Sequence, residues 1–420
     1  MVKIGGMKIL QLCKKFPYPL KDGEIIAVNT LAKSLKQLGA NVTLLTMNTS
    51  KHPVADSEIS DDFRSIYQAI HSVEVYNDIT AFGAFKNLFE KESYHVTRFI
   101  SEDYKLKLIE ILRGSSFDVI QLETIFLTPY IPIIREFAPK SVIALRTHNV
   151  EHEIWKRVAD ETKFQPKKQY LNFLNEKLKR FELENIQKCD ILLPITDRDL
   201  GIYRSLGYQG LALSTPVGLN GSDYLPDEKS FKKPLSIGFI GSLDWMPNQK
   251  GLQWFLENVW SIYKASENGK SKVELHIAGR NAPDWLKNMS HKDVHFHGEV
   301  ENAKDFMNQH ALQIVPLFSG GGIRVKILEA MMLGRVVLTT SMGLEGIEAN
   351  DGVEILVANT AEEFKSKIEF CLKNQKILSV IGQNGRKLIE TKYDNLSIAT
   401  KVLAQYNKMS KLQVEINIKS

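Results

Sequence analysis

Short apolar runs alternate along the chain with longer stretches whose apolar positions recur at helical spacing. Residues 8–12 read as a buried strand, residues 24–38 as a helix closed by Gly39, and residues 42–47 as a second strand. Further strand signals stand at 73–76, 119–122, 142–146, 191–194 and 212–214. A strand–helix–strand rhythm of this kind predicts an α/β protein with parallel sheets and right-handed crossovers. The rhythm pauses over 215–234, where proline, glycine and Asx residues concentrate, and resumes from 235 to about 373. Helices over 374–390 and 395–412 close the chain. The expected organisation is a first domain over 1–215, a linker over 216–234, a second domain over 235–394 and a terminal helix and tail over 395–420. A length of 420 residues suits two domains better than one core.

Composition narrows the function classes. The hydrophobic share of 43% and charged share of 25% are those of an ordinary globular protein. No apolar run approaches the ~18–20 residues that span a bilayer, and the N-terminus lacks the order of a signal peptide, so a cytoplasmic protein is expected. Cys13, Cys189 and Cys371 are widely spaced and suggest neither a disulfide framework nor a zinc site. A net charge of +5 without an arginine-rich block argues against a nucleic-acid partner. Residues 82–113 carry Lys86, Lys91, Arg98, Lys105, Lys107 and Arg113 among Phe85, Leu88, Phe89, Phe99 and Leu108. Interspersed Glu90, Glu92, Glu102, Asp103 and Glu110 favour an ordinary amphipathic helical pair over a membrane-docking surface.

The richest chemistry lies at Gly320, Gly321 and Gly322, followed by Arg324, Lys326 and Glu329. Consecutive glycines let backbone N–H groups converge, and a helix opening there would turn its positive end toward an anion. On that helix Ile323, Ile327, Ala330 and Gly334 share one face. Gly322, Lys326 and Glu329 form an adjacent stripe suited to the phosphate and ribose of one nucleoside diphosphate, with Arg324 on the other flank. A tight turn with solvated charges is the alternative for a glycine run taken alone. Asp197-Arg198-Asp199 has the spacing of a metal-binding carboxylate pair, but Thr196 before it reads as a helix cap with both acids in the first turn.

Nearly the whole chain resembles the retaining glycosyltransferases of the GT-B fold, family 4. The resemblance rests on Ile237-Gly238-Phe239-Ile240-Gly241-Ser242 through Pro247-Asn248-Gln249-Lys250-Gly251, on Leu275-His276-Ile277-Ala278-Gly279-Arg280, on His295-Phe296-His297-Gly298-Glu299-Val300, on the glycine run, and on Arg335-Val336-Val337-Leu338-Thr339-Thr340, in that order. It implies two doubly wound, Rossmann-like domains facing a central cleft, with the last helix crossing back to the first domain. It implies a nucleoside diphosphate sugar donor, no cofactor and no metal, a saccharide or lipid-linked acceptor, and through the latter a peripheral membrane contact.

The same resemblance assigns site residues. Gly23, Lys250, Arg280, Gly298, Val300, the three glycines 320–322 and Glu329 fall on the donor side, Arg324 and Lys326 on the departing diphosphate, His148 on the transferred sugar, and Glu123 and Asn149 on the acceptor side. Two departures stand out: Gly321 occupies the place of the first of two family glutamates, and Ser242 that of a frequent arginine. Glu24 stands where a second glycine is common. No residue identifies itself as a nucleophile, which favours same-face attack assisted by the leaving diphosphate. A sugar-nucleotide epimerase of the same fold, or a nucleotide-sugar-binding partner subunit without turnover, are the other readings.

Overall fold

The structure is a computed structural model that describes residues 6–20, 22–78, 80, 86–87, 90–266, 273–289 and 292–419. It divides into two compact units, one of Met1–Gly218 with Asn395–Ser420 and one of Leu219–Asp394.

The first unit is built on β1 (Lys8–Cys13), β2 (Asn41–Thr49), β3 (Ala69–Val75), β4 (Val119–Leu122), β5 (Val142–Thr147) and β6 (Ile191–Pro194). All neighbours pair in parallel, in the order β3-β2-β1-β4-β5-β6. Because side chains alternate across a strand, each strand feeds two cores. Leu10, Leu12, Ile120, Leu122, Ile143 and Leu145 face one. Ile9, Val119, Val142, Ala144, Ile191 and Leu193 face the other. The second core is completed from the far end of the chain: the helix Asn395–Lys419 contributes Ala399, Val402, Leu403 and Tyr406, a stripe at helical spacing. This helix packs on the helix Gly23–Gln37, so the chain does return to its first unit.

The second unit repeats the winding with β7 (Ser236–Ile240), β8 (Glu274–Ala278), β9 (Val294–Gly298), β10 (Leu312–Val315), β11 (Val336–Thr339) and β12 (Leu356–Val357). The order is β12-β11-β10-β7-β8-β9, again wholly parallel. In both sheets the chain starts centrally, winds outward for three strands and then reverses.

Several sequence expectations shift. The strand expected at 73–76 runs from Ala69 to Val75, and the one expected at 212–214 is a single bridge from Ala212 to Leu192. The helix after the glycine run begins only at Val325. Gly320 at φ +103° and Gly322 at φ +73° hold left-handed conformations incompatible with the helix. In the basic segment, Phe99 and Leu108 are buried in the first unit's core, and Lys105 and Lys107 pair with Glu102 and Glu110. Leu108 lies on the buried side of the amphipathic helix Glu102–Gly114, while Phe85, Leu88 and Phe89 lie outside the described residues. No helix among the described residues is long and apolar enough to cross a membrane.

Gly251 fixes how closely the helix Met246–Phe255 approaches β10. A Cβ there would stand 1.8 Å from the Pro316 carbonyl oxygen, a backbone atom that cannot rotate away. Gly251→Ala is therefore expected to destabilise the second unit by about 1–3 kcal/mol, the usual cost of overpacking, read as a lower unfolding midpoint in a thermal scan.

Candidate functional site

Loops that leave a parallel sheet where its winding reverses flank a crevice at the carboxyl ends of the strands. In the second unit that point lies between β7 and β10. Gly241 and Ser242 follow β7, and the glycine loop with the helix Val325–Met332 follows β10. Lys326, in the first turn of that helix, reaches back across the switch point. Its Nζ donates to Asn248 Oδ1 at 2.8 Å and to the Ile240 carbonyl at 3.4 Å, and lies 5.1 Å from the centroid of the Phe239 ring. Asn248 is held in turn by donating Nδ2 to the Ser242 carbonyl at 2.8 Å. A Cβ on Gly241 would stand 2.9 Å from Asn248 Nδ2 and 3.1 Å from Lys326 Nζ, so a glycine keeps the approach to the ammonium open. Burial, reinforced by neighbouring Arg324, lowers the Lys326 pKa to about 7. The site thus holds a desolvated cation whose charge an incoming anion would restore.

Arg324, expected on the departing diphosphate, bonds the loop that precedes it. Its Nη1 donates to the carbonyls of Gly321 and Gly322, folding the side chain over the glycine loop, and Gly320 packs on Trp245. Arg324 therefore shapes the loop, and Lys326 is the cation presented at the switch point. One turn along the helix, Glu329 accepts from the Tyr224 hydroxyl at 2.9 Å, and burial raises its pKa despite that bond. Lys304 Nζ covers the Tyr224 ring at 4.1 Å. After β8, Arg280 Nε donates to Ser242 Oγ at 2.9 Å, which sets a guanidinium beside the Ser242 turn. Gly298 closes β9 at φ +70° and accepts from the Gly279 amide at 2.7 Å; Val300 follows it, half-buried. Lys250 is exposed on the helix Met246–Phe255, whereas Asn248 of the same helix is buried against Lys326.

In the first unit the corresponding point lies between β1 and β4. Glu123, directly after β4, is 1% exposed. It accepts from Gln11 Nε2 at 2.5 Å and from Gln121 Nε2, lies 3.6 Å from Arg146 Nη1, and meets His148 Nε2 at 3.0 Å. Burial alone would raise its pKa; Arg146, the His148 and Gln11 hydrogen bonds and nearby charge outweigh that and hold it below the ordinary carboxylate value. Glu123 is thus enclosed by side chains of its own unit. Since an ionised carboxylate only accepts, His148 Nε2 carries a proton and donates it to Glu123.

Glu24 lies within electrostatic reach of His148, Lys14 and Lys15. Glu24 Oε2 lies 3.4 Å from Lys14 Nζ and 3.3 Å from Lys15 Nζ. Burial opposes its ionisation, but Lys14, Lys15 and His148 bring its pKa down to about 2. Gly23 opens the adjoining helix, which Asp22 caps by accepting from the Ile25 amide at 3.0 Å; Lys21 lies outside the described residues. Glu151 titrates oppositely, pushed up to about 7 by burial and by Glu182 and Glu24 against the pull of Lys14 and Asn149. Asn149 also accepts at its carbonyl from Tyr203 Oη at 3.2 Å. His152 is structural, its Nδ1 set 2.6 Å from buried Glu182, which also accepts from the first amides of the helix Glu151–Glu161. Thr196 caps the helix Asp197–Ser205 by accepting from the Asp199 amide at 3.0 Å, with both acids in the first turn.

Asn248, Tyr224, Lys14, Lys15 and Gln11 escaped the sequence reading. The Pro247-Asn248 dipeptide at a helix start was a usable signal for Asn248. The others act through contacts that no spacing reports.

Two doubly wound units, the second presenting a lysine at a glycine-lined switch point and the last helix packed on the first, define a protein of the GT-B fold. The solved structures agree. Sucrose-phosphate synthase from Thermosynechococcus elongatus aligns over 96% of this chain and 99% of its own at a TM-score of 0.69 and 15% identity. Anabaena HepE in complex with UDP-glucose aligns over 96% and 99% at 0.62 and 14%. S. aureus TarM in complex with Fondaparinux, alpha-GlcNAc-glycerol and UDP aligns over 96% and 100% at 0.65 and 12%. Residues 234–374 match the profile of the glycosyl transferases group 1. A curated relative, an uncharacterized 44.6 kDa protein in the cps region of Klebsiella pneumoniae, is 27% identical over 180 residues, which is 40% of this chain and 45% of that protein.

Proposed function

We propose that the protein transfers a sugar from a UDP-sugar to an acceptor hydroxyl with retention of configuration, in the assembly of a polysaccharide or glycolipid. The observation that carries the reading is Lys326: a desolvated ammonium at the β7/β10 switch point, beside a glycine that leaves it open and in a unit matching the group 1 transferases. Uridine as the base is supported by the nucleotides named with HepE and TarM, and polysaccharide assembly by the relative in the cps region.

In this mechanism the diphosphate lies against Lys326 and the amides at the start of its helix, and Glu329, set by Tyr224, receives the ribose hydroxyls. Arg280 beside Ser242 supplies further positive charge. As the glycosidic bond lengthens, negative charge gathers on the diphosphate and Lys326 stabilises it. His148, steadied by Glu123, hydrogen-bonds a sugar hydroxyl through Nδ1. The acceptor hydroxyl attacks from the face the diphosphate leaves, and its proton passes to a departing phosphate oxygen. An acceptor-free epimerase would need a carboxylate pair around the sugar, and Glu123 is already committed inside its own unit.

A thermal-shift screen of UDP, GDP and ADP with their sugar conjugates, with Mg²⁺ and with EDTA, tests the reading. Selective stabilisation by UDP compounds, undiminished by EDTA, is expected. Stabilisation by another diphosphate would change the donor, an absolute metal requirement would overturn the lysine's role, and no response would favour a subunit without turnover. His148→Ala is expected to lower kcat roughly 10²-fold while UDP affinity changes much less, measured by initial rates and calorimetry.

The pH dependence has a definite sign. Diphosphate binding favours the protonated lysine, and Lys326 of the free protein titrates near 7. Affinity for a UDP-sugar should be level below that pH and fall as pH rises through it, by up to about tenfold per unit until the raised pKa of the complex is reached. Calorimetric titration between pH 6 and 9 reads this directly, and a flat profile in that range would contradict it.

A further inference from the structure

The face of β8 and β9 carries chemistry that sugar transfer does not use. β8 places Glu274 and His276 on one side of the sheet, β9 places His295 beside His276 in register, and His297 and His310 adjoin them. The His276 ring stacks on His295, His297 and His310 at centroid distances of 4.8, 5.3 and 4.5 Å. Four imidazoles and a carboxylate converge within one unit.

We propose that Glu274, His276 and His295 form a zinc site at the start of β8 and β9. Their ligand atoms all lie within 4.8 Å of one another. His276 Nε2 stands 3.5 Å from Glu274 Oε2, and His295 Nε2 stands 3.8 Å from Glu274 Oε1. Ligands about 2.0–2.1 Å from a tetrahedral zinc stand ~3.3–3.4 Å apart, so small side-chain movements complete the geometry. His276 Nδ1 lies 3.0 Å from His297 Nε2, a hydrogen bond that fixes the ring and, with the proton on Nδ1, turns Nε2 toward Glu274 as an acceptor. His295 Nε2 is a buried polar atom with no hydrogen-bond partner among the described residues.

Glu274 and His295 are both partly exposed, with side-chain accessibilities of 52% and 41%, which leaves a fourth position for water and a path for entry. β9 is an edge strand paired only with β8, so the metal would clamp that edge. The site lies in the first halves of these strands, whereas the donor residues follow their last residues.

Full-length, tag-free protein is stripped with chelator, equilibrated with zinc chloride, desalted and measured for zinc by atomic emission, alongside His295→Gln and Glu274→Gln. Wild type is expected to retain close to one zinc per chain, to show a tetrahedral visible spectrum when cobalt replaces zinc, and to melt higher with zinc. Both variants should keep the circular dichroism and UDP affinity of wild type while binding zinc at least about tenfold more weakly. No retention by wild type, wild-type retention by the variants, or a parallel loss of UDP affinity would each overturn the site.

Discussion

Lys326→Ala is expected to lower kcat/KM for sugar transfer by roughly 10²–10³-fold and to weaken UDP binding in the same variant, the loss typical of removing one preorganised donor to developing charge. The size of the effect follows from the setting. Lys326 is enclosed by Asn248, the Ile240 carbonyl and the Phe239 ring, where water screens the charge poorly. Its depressed pKa shows that the free protein holds the ammonium at a cost, which diphosphate binding offsets. Initial rates with a UDP-sugar, paired with calorimetry of UDP, separate the binding loss from the transition-state loss. Arg324→Ala should differ, because Arg324 bonds the glycine-loop carbonyls; its defect should lie more in donor affinity than in kcat. Equal and small effects from both substitutions would remove the proposed site.

The second large effect is structural. Glu123→Ala is expected to destabilise the first unit by about 3–5 kcal/mol at pH 7, because it strands the Arg146 guanidinium, itself 1% exposed, without its carboxylate. Arg146 would keep only its bonds to the Ala27 and Thr215 carbonyls. The sign with pH is fixed by the lowered pKa of Glu123. Its contribution is fully present above the unfolded carboxyl value and is lost as pH falls through the lower folded value. The gap between wild type and variant should therefore be widest near neutrality and close in acid. Hydrogen exchange of the β4 and β5 amides under increasing urea measures it for this unit without assuming that the whole chain unfolds in one step. His148 would lose its anchor as well, so kcat should fall with stability.

What the sequence made legible was periodic or local. Buried parallel strands are continuous apolar runs, and the alternation of runs with amphipathic stretches located the β-strands 8–12, 119–122 and 191–194 closely. The Thr196 cap depends on three adjacent residues and was readable for that reason. Periodicity suggested that the helix began at the glycines, since Ile323 continues the apolar stripe; the positive φ of Gly320 and Gly322 delays it to Val325. Contacts between distant positions were not legible. Asn248 meets Lys326 across 78 residues, Tyr224 meets Glu329 across 105, and Tyr406 donates to Gln121 across 285. Glu123 looked like an acceptor residue because it ends a strand at the right edge, and nothing in its neighbours reveals that Gln11, Arg146 and His148 surround it.

Hydrogen exchange of the full chain with and without UDP, in EDTA, tests most directly whether the diphosphate lies where the β7/β10 loops and Lys326 put it. The expected result is protection of the amides after β7, around 241–248, and of those from 320 to 329, with the same segments unprotected in Lys326→Ala at equal UDP. Protection confined to other segments, or protection that survives loss of the lysine unchanged, would contradict the account.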